Sequence, residues 1–420
     1  MPEFQTTPGT RDILPPDAAR WRRLVEEFES LARLGGYENI VLPMFEDLGV
    51  FLRLGDATDV VTKEMYDFVD KGGRHIALRP EQTAGVCRAF VQHSPTPPWK
   101  VWYAGPNFRY EKAQHGRYRQ FDQVGVEVLG VDDPYLDVEV IALAAAFFVN
   151  LGLRGVRLDI NSLGDAGDRD RYIAALRDYF EAHESELSEE SKVTLRRNPL
   201  RVLDSKRPAE QDLIAEAPSI SEFLSDEAAA HFAAVQEGLS ALNVPFAVNE
   251  RLVRGLDYYR RTTFEFSSTA LDAAQTAVGG GGRYDGLVED LGGSSTPGIG
   301  FAIGVDRTLL ACDAEGVFAA PSLDSEVFVV DTTGGLVGVR MMNTLQRAGL
   351  RVTRAYGAKS MKSQMKSANK SGAAVAVILG EDEVARGVAT VRPMSGGDQT
   401  EVPLDDVVDS VKNILRKAPT

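Results

Sequence analysis

The stretch Phe108–Gly130, FRYEKAQHGRYRQFDQVGVEVLG, decides the fold, and its second half alternates with the period of two expected of a strand. Asp122, Val124, Val126 and Val128 fall on one side. Arg117, Arg119, Phe121, Gln123, Gly125, Glu127 and Leu129 fall on the other. Upstream, Val101–Tyr110 (VWYAGPNFRY) is a second apolar and aromatic run that carries Arg109, and Glu111–Gly116 (EKAQHG) has the polarity of a hairpin loop. The spacing therefore predicts two antiparallel strands with a shared polar face bearing Arg109, Arg117, Arg119, Gln123 and Glu127. Its loop end is cationic and suits phosphate oxygens, which arginine forks bind with two donors. At the far end, Gln123 and Glu127 flank Gly125, a gap for a small ligand rich in donors, and Phe121 between the ends offers a flat surface for a base. A solvated, salt-bridged outer face is the alternative reading. The separation of cations from carboxylate and amide speaks against it.

A chain of 420 residues implies two or three domains, and its 44% hydrophobic and 25% charged residues are those of a globular protein. No apolar run reaches membrane-spanning length, and MPEFQTTPGT lacks the charged start and apolar middle of a signal peptide. A cytoplasmic protein with no membrane association is the expectation. Cys87 and Cys312 give neither metal spacing nor a disulfide framework and read as two buried thiols; the histidines are scattered, so no metal site is expected. A net charge of −15 excludes a protein that coats nucleic acid non-specifically. Against this background, Thr332–Gly380 holds eight basic residues, among them Arg340, Arg354, Lys359, Lys362, Lys366 and Lys370, and no acidic one. Such a local basic surface suits a polyanion that must be placed as well as bound.

Along the chain, a helix with Asp17 as its N-cap runs to about Leu34, with Trp21, Leu24, Phe28 and Leu31 on one face. A strand spans Tyr37–Pro43. Arg79-Pro80-Glu81-Gln82-Thr83 precedes a helix over Ala84–Gln92, and further elements are a helix over Val138–Leu151 and a strand over Val156–Ser162. From about 165 to 229 the chain is charged and helical in pattern, as in an insertion. Strand signals return at Val244–Val248 and Arg251–Phe266. Gly279–Leu287 (GGGGRYDGL) reads as a glycine-rich turn, Gly298–Leu310 leads into a helix, and 313–325 has linker composition. Beyond it, strand and helix alternate, predicting a small α/β domain with parallel pairing over 326–420.

Three further groups carry chemistry. Tyr258 and Tyr259 stand beside Arg254, Arg260 and Arg261, either as cross-strand packing or as a site. Arg307 opens an apolar helix, where an acidic residue is the usual choice, so it is either solvated or aimed at phosphate. Glu81 and Thr83 follow a strand end, where binding residues often sit, although Glu81 can equally serve as a first-turn carboxylate.

In order and form these blocks resemble the class II aminoacyl-tRNA synthetases, and within them the histidine-specific family. Phe108–Arg119 is similar to the second class motif, with Arg109 and Glu111. Gly298–Leu310 is similar to the third, with Arg307, and the helix and strand closing at Pro43 resemble the first, which forms a dimer interface. Arg254–Tyr259 and Gly281–Gly286 resemble two blocks peculiar to the histidine family, and the likeness covers nearly the whole chain. It implies an α/β architecture with an antiparallel sheet flanked by helices as a catalytic core over 1–325, including the helical insertion, and an anticodon-binding α/β domain over 326–420. It implies a homodimer that activates L-histidine with ATP and Mg²⁺ and transfers it to the 3′ end of tRNA(His).

By the same resemblance, Arg109, Arg254 and Arg307 are catalytic. ATP contacts fall to Arg109, Glu111, Arg117, Phe121 and Arg307, and histidine contacts to Glu81, Thr83, Gln123, Glu127, Arg254, Tyr258, Tyr259 and Tyr284. Lys112 and Gln114 would approach the end of the acceptor stem, and Arg354, Lys359, Lys362 and Lys366 the anticodon arm. In the hairpin loop, Lys112-Ala113-Gln114 departs from the Arg-Pro pair before Gln found in many bacterial relatives, replacing a fork with a point charge. Two other readings are a regulatory paralogue in histidine biosynthesis that binds histidine without activating it, and a sensor of uncharged tRNA. The presence of the signature blocks, the C-terminal domain and the ATP-site arginines counts against both.

Overall fold

The computed structural model describes residues 4–53, 63–114, 116–203, 205–252, 258–271, 276–321, 325–357 and 359–417. The chain divides into two compact units, Met1–Ala320 and Pro321–Thr420.

The first unit opens with helix α1 (Asp17–Leu34). Asp17 is its first residue rather than its cap; Pro16 holds the cap position and no side chain caps the end. Strands β1 (Glu38–Asn39), β2 (Phe45–Asp47), β3 (Tyr66–Val69) and β4 (His75–Leu78) follow, then helix α2 (Thr83–His93). The expected strand over Tyr37–Pro43 is thus only the two residues of β1, paired parallel to Val101 and Trp102. The hairpin consists of β5 (Trp99–Phe108) and β6 (Gln120–Leu129), antiparallel in the register Tyr103↔Gly125 and Val101↔Glu127. Helix α3 (Pro134–Asn150) and β7 (Val156–Ser162) lead to the insertion, which starts with α4 (Ala166–Ala182) and returns through α5 (Asp226–Ala241). The insertion has a core of its own, in which Tyr172, Leu176 and Phe180 of α4 pack on Leu195, Leu213 and Ile220. Strands β8 (Ala247–Val248), β9 (Arg260–Ser268), β10 (Ala277–Arg283) and β11 (Gly298–Gly304) and helix α6 (Val305–Glu315) complete the unit.

Eight strands form one sheet in the order β1-β5-β6-β11-β10-β9-β7-β8, antiparallel except at the two ends. One face is largely apolar. Val124, Val126 and Val128 of β6 and Ile299, Phe301 and Ile303 of β11 pack there against α1 and α3. Phe28 is at the centre, its ring 5.2 Å from Phe147 and 6.0 Å from Phe301. The other face carries Val101, Tyr103, Leu129, Tyr258, Tyr259 and Tyr284 against α2. The alternation of β6 therefore sorts as its sequence implies, valines to one side and Glu127 to the other.

Gly279–Gly282 is a correction to the sequence reading. These glycines form no turn; they lie in β10, in the middle of the sheet between β9 and β11. Proximity explains the composition. A Cβ on Gly281 would collide with the Gly300 carbonyl oxygen, and one on Gly279 would come within 2.7 Å of the Ile303 side chain. Glycine here sacrifices strand propensity to let neighbouring backbone and side chains close in.

In the second unit, β12 (Val327–Asp331), α7 (Leu336–Arg347), β13 (Val352–Arg354), α8 (Met361–Lys370), β14 (Val375–Leu379), β15 (Val388–Pro393), β16 (Thr400–Pro403) and α9 (Val407–Lys417) form a five-stranded sheet in the order β13-β12-β14-β15-β16. The first three strands pair in parallel as expected, and β15 and β16 add an antiparallel edge. Cys87 and Cys312 are both free and buried.

Candidate active site

A cleft of about 1140 Å³, open mouth included, lies on the face of the sheet opposite the valines. Its lining includes Glu81, Thr83, Arg109, Glu111, Arg117, Phe121, Gln123, Tyr258, Tyr259, Tyr284 and Arg307, so segments more than 200 residues apart in sequence meet there.

The cationic end is built from three places. Arg109 leaves the end of β5, is fixed by a 2.9 Å bond from its Nε to the Pro80 carbonyl, and lies 5.2 Å above the Phe121 ring. Arg117, in the hairpin loop, lies against the Glu111 carboxylate. Arg307, in the first turn of α6, donates from Nη1 to the Ala277 carbonyl at 3.0 Å. Burial lowers the pKa of Arg307, and Arg117 and Arg109 push it the same way, while Glu111 and Glu265 oppose them. Three cations this close, one of them desolvated, form a site prepared for a polyanion. Arg119 is a correction. It precedes β6, turns away from the cleft, stacks 3.9 Å over Tyr110 and donates to the Glu111 carbonyl at 3.2 Å.

The other end is organised around Glu127, which is 1% exposed. Its carboxylate accepts from Thr83 Oγ1 at 2.7 Å, from Tyr103 OH at 3.1 Å and from Tyr284 OH at 2.6 Å. Burial pushes its pKa up to about 8 against the pull of those hydroxyls, with nearby Glu81 adding to the rise. Glu127 stands behind the lining; the three hydroxyls that donate to it form the surface. The open gap expected at Gly125 is absent. A Cβ there would lie 2.5 Å from both the Tyr103 hydroxyl and the Phe301 carbonyl, so the missing side chain makes room for Tyr103 instead of for a ligand.

Glu81 takes both of the roles considered for it. It accepts the backbone N–H groups of Thr83 at 2.6 Å and Ala84 at 2.9 Å, which satisfies the start of α2, and it also lines the cleft. Burial raises its pKa. Gln123 accepts from Asn107 Nδ2 at 2.7 Å, which fixes its amide and leaves Oε1 a second lone pair for a ligand donor. The rings of Tyr258 and Tyr259 lie 4.6 Å apart, and Tyr284 packs edge-on against Tyr258 at 5.9 Å.

Arg254 lies outside the described residues, as does His115 of the hairpin loop. Lys112 and Gln114 are in that loop but not in the cleft lining. In the second unit, Lys359, Lys362 and Lys366 are exposed around the start of α8, and Arg354 lies 4.8 Å over the exposed ring of Tyr356.

Tyr103, Glu265 and Asp306 also line the cleft without having been singled out from sequence, and so does Asp122 at the start of β6, which the alternation had put with the valines. Tyr103 had a signal: in the hairpin register it faces a glycine. Asp122 is lifted to about 6 by burial and by Asp306. Asp306 in turn accepts from Arg11 at 2.6 Å, so the N-terminal segment reaches the start of α6. Among the described residues, no group of three histidine, cysteine or acidic side chains could cage a metal ion.

Residues 9–308 match the family model for histidyl-tRNA synthetase, and residues 337–414 that for an anticodon-binding domain. The chain belongs to the histidyl-tRNA synthetase family. It is 49% identical to the histidine–tRNA ligase of Rhodococcus erythropolis, over 98% of either chain, and 47% identical to that of Geobacillus kaustophilus, over 96% of this chain and 97% of the other. The crystal structure of apo S. aureus histidyl-tRNA synthetase superposes with a TM-score of 0.82 at 35% identity, covering 97% of this chain and all of that one. The synthetase is thus an aminoacyl-tRNA ligase that uses ATP to join histidine to tRNA(His), on a class II fold followed by an anticodon-binding domain. No helix among its described residues is long and apolar enough to cross a membrane.

Proposed function

We propose that the two ends of the cleft divide the substrates of this reaction, with ATP at the arginines and L-histidine at the hydroxyls around Glu127. The observation that carries this division is the meeting of Arg109, Arg117 and Arg307 at one end of a cleft whose other end holds no cation among its described lining residues. Adenine stacks on Phe121 beside the Arg109 guanidinium, while Arg109 and Arg307 hold the phosphates. The α-amino group of histidine falls to Glu81, Thr83 and Gln123, and its imidazole to the face built by Tyr258, Tyr259, Tyr284 and Glu127.

The protein performs little covalent chemistry. A carboxylate oxygen of histidine attacks the α-phosphorus, the bond to the β-phosphate breaks, and pyrophosphate leaves histidyl-adenylate. The terminal ribose hydroxyl of tRNA then displaces AMP from the acyl carbon. Arg109 and Arg307 offset the charge that builds at phosphorus from fixed positions, so no reorganisation is needed during the step. By family likeness, Arg254 adds a third cation there.

Glu111 and Glu265 line the phosphate end, which suits a Mg²⁺ ion held mainly by phosphate oxygens and water rather than by a protein cage. Bound there, the ion would supply further charge neutralisation.

We assign Glu127 a governing role in amino-acid choice. When Glu127 is ionised, three hydroxyl protons are directed at its carboxylate, and the oxygens of Thr83, Tyr103 and Tyr284 turn lone pairs to the cleft, where an imidazole N–H finds acceptors and a leucine or phenylalanine side chain offers no donor. The exposed lysines of the second unit dock the anticodon arm, and Lys112 and Gln114 approach the acceptor end. Exposed apolar residues Val41, Met44, Phe45, Phe68 and Val69 around the small β2-β4-β3 sheet support a homodimer, and the family's housekeeping reaction supports cytoplasmic residence. Pyrophosphate exchange with each amino acid in turn tests the reading of the cleft: histidine alone should support it, and exchange lost in Arg307→Ala but retained in Arg119→Ala would match the two ends as assigned.

A further inference from the structure

Arg261 lies outside the cleft lining, yet it is firmly held. Its side chain is 11% exposed, and the guanidinium bonds three carboxylates from three places: Asp165 at 2.6 Å, Asp132 at 3.0 Å and Glu227 at 3.0 Å. Asp165 caps α4, where the insertion begins, and Glu227 lies in the first turn of α5, where it returns. Its backbone is tied to the same root. Arg261 N–H donates to the Gly164 carbonyl at 2.9 Å, and the Leu163 N–H donates to the Arg261 carbonyl at 2.7 Å.

The backbone here is strained. Arg261 has φ +48°, a left-handed conformation uncommon for a residue with a side chain. It falls at a bulge in the sheet: Gly282 pairs with Thr263 but the next residue, Arg283, pairs with Arg260, leaving Arg261 and Thr262 extra on β9. Bulges of this kind redirect the chain beyond them. What lies beyond this one is Tyr259 and Tyr258. Tyr259 is seated against Gly282, where a Cβ would lie 3.0 Å from its ring and 2.5 Å from the Thr262 carbonyl. A strained conformation persists only when its surroundings over-determine it, and three ion pairs with two backbone bonds do so here.

We propose that Arg261 is a positioning residue for the amino-acid end of the cleft, clamping the bulge that aims Tyr258 and Tyr259 to both ends of the helical insertion. The proposal rests on the assignment of histidine to that end. It makes the seating of the insertion and the geometry of the histidine pocket a single property, since the insertion cannot shift at its root without loosening the bulge.

The test is pyrophosphate exchange by the full-length protein, with histidine and ATP titrated separately and the melting temperature recorded. Arg261→Ala loses the clamp and keeps the strain, so the histidine KM should rise at least about tenfold while the ATP KM stays within about twofold. Arg261→Gly loses the clamp but suits a positive φ, and should do less harm. Arg261→Lys folds with its charge retained and should fall between wild type and Ala. Asp165→Asn combined with Arg261→Ala should be no worse than Arg261→Ala alone. Unchanged histidine KM in all three variants overturns the proposal, and so do equal rises in both KM values with Gly no better than Ala. Tyr259→Phe is the control: if it leaves histidine KM unchanged while Arg261→Ala raises it, the placement of histidine at the tyrosines is at fault and the clamp is not.

Discussion

The Tyr284 hydroxyl donates to Glu127 Oε2 at 2.6 Å, across 157 positions of sequence, from a ring that is itself 1% exposed. The bond joins the end of β10 to the middle of β6 and closes the back of the pocket. Removing that hydroxyl leaves a buried carboxyl one donor short, a loss of about 1–3 kcal/mol. Tyr284→Phe should therefore lower the melting temperature and raise the histidine KM, with the ATP KM unchanged. Separate titrations of the two substrates check it, and a shift in the ATP KM alone would count against the pocket.

Glu127 gives a pH dependence with a definite sign. Its pKa is raised from 4.5 in the unfolded reference to about 8 in the fold, so between those values the folded chain holds the extra proton. Stability from this group is greatest below the lower value and falls as pH rises towards about 8. Glu127→Gln cannot ionise and escapes that loss. The melting temperature of the variant should gain on wild type steadily from pH 5 to pH 8, in roughly the span the linkage sets. Parallel curves across that range would show that the carboxyl is not held neutral.

At the cationic end, Arg307→Ala removes a fixed, buried donor from the developing charge. The expected fall in the adenylation rate is about 10²–10³-fold, as for loss of one such donor. Single-turnover formation of histidyl-adenylate measures it free of tRNA. A near-normal rate would place Arg307 outside the chemistry.

Charge reversal of Lys362 and Lys366 tests the second unit. If both face phosphates of the tRNA, the double variant should weaken tRNA binding and reduce the slope of log affinity against log salt by roughly two. ATP-dependent pyrophosphate exchange should be untouched. An unchanged salt slope would remove these lysines from the interface.

Gly281→Ala examines the glycine strand. A Cβ there meets the Gly300 carbonyl and the Phe301 backbone, which belong to a neighbouring strand and cannot rotate aside. The variant should be insoluble or melt far below wild type, and limited proteolysis should cleave it where the parent resists. A well-folded Gly281→Ala protein would show that β10 and β11 can part without cost.

How much of this was legible follows from what sequence spacing can encode. The alternation in β6 separated Val124, Val126 and Val128 from Glu127 correctly, because a strand has no freedom to mix its faces. The hairpin likewise brought Arg109 beside Phe121. Gly279–Gly282 was misread because glycine has low strand propensity on its own, and the reason for it is the approach of Gly300 and Phe301, about twenty residues further on. The vacancy at Gly125 was misjudged for a similar reason: a missing side chain signals space, but only the partner strand tells who fills it, here Tyr103. Arg119 was assigned by extending the period one residue past the start of β6. Tyr103 and the Arg261 clamp depend on contacts across the sheet and across the insertion, which local pattern does not carry.

The floor of the cleft is formed partly by Gly279, Gly280, Gly300, Ala302 and Gly304, almost bare main chain. Main chain has little to exchange by mutation, so this floor presents few points at which a changed codon could reshape it without parting strands. The tyrosine end is different, since each hydroxyl there is a side chain that a single base change can delete. Redesign of the enzyme for a histidine analogue would accordingly find its room to manoeuvre among Tyr103, Tyr259 and Tyr284, while its appetite for ATP stayed as it was.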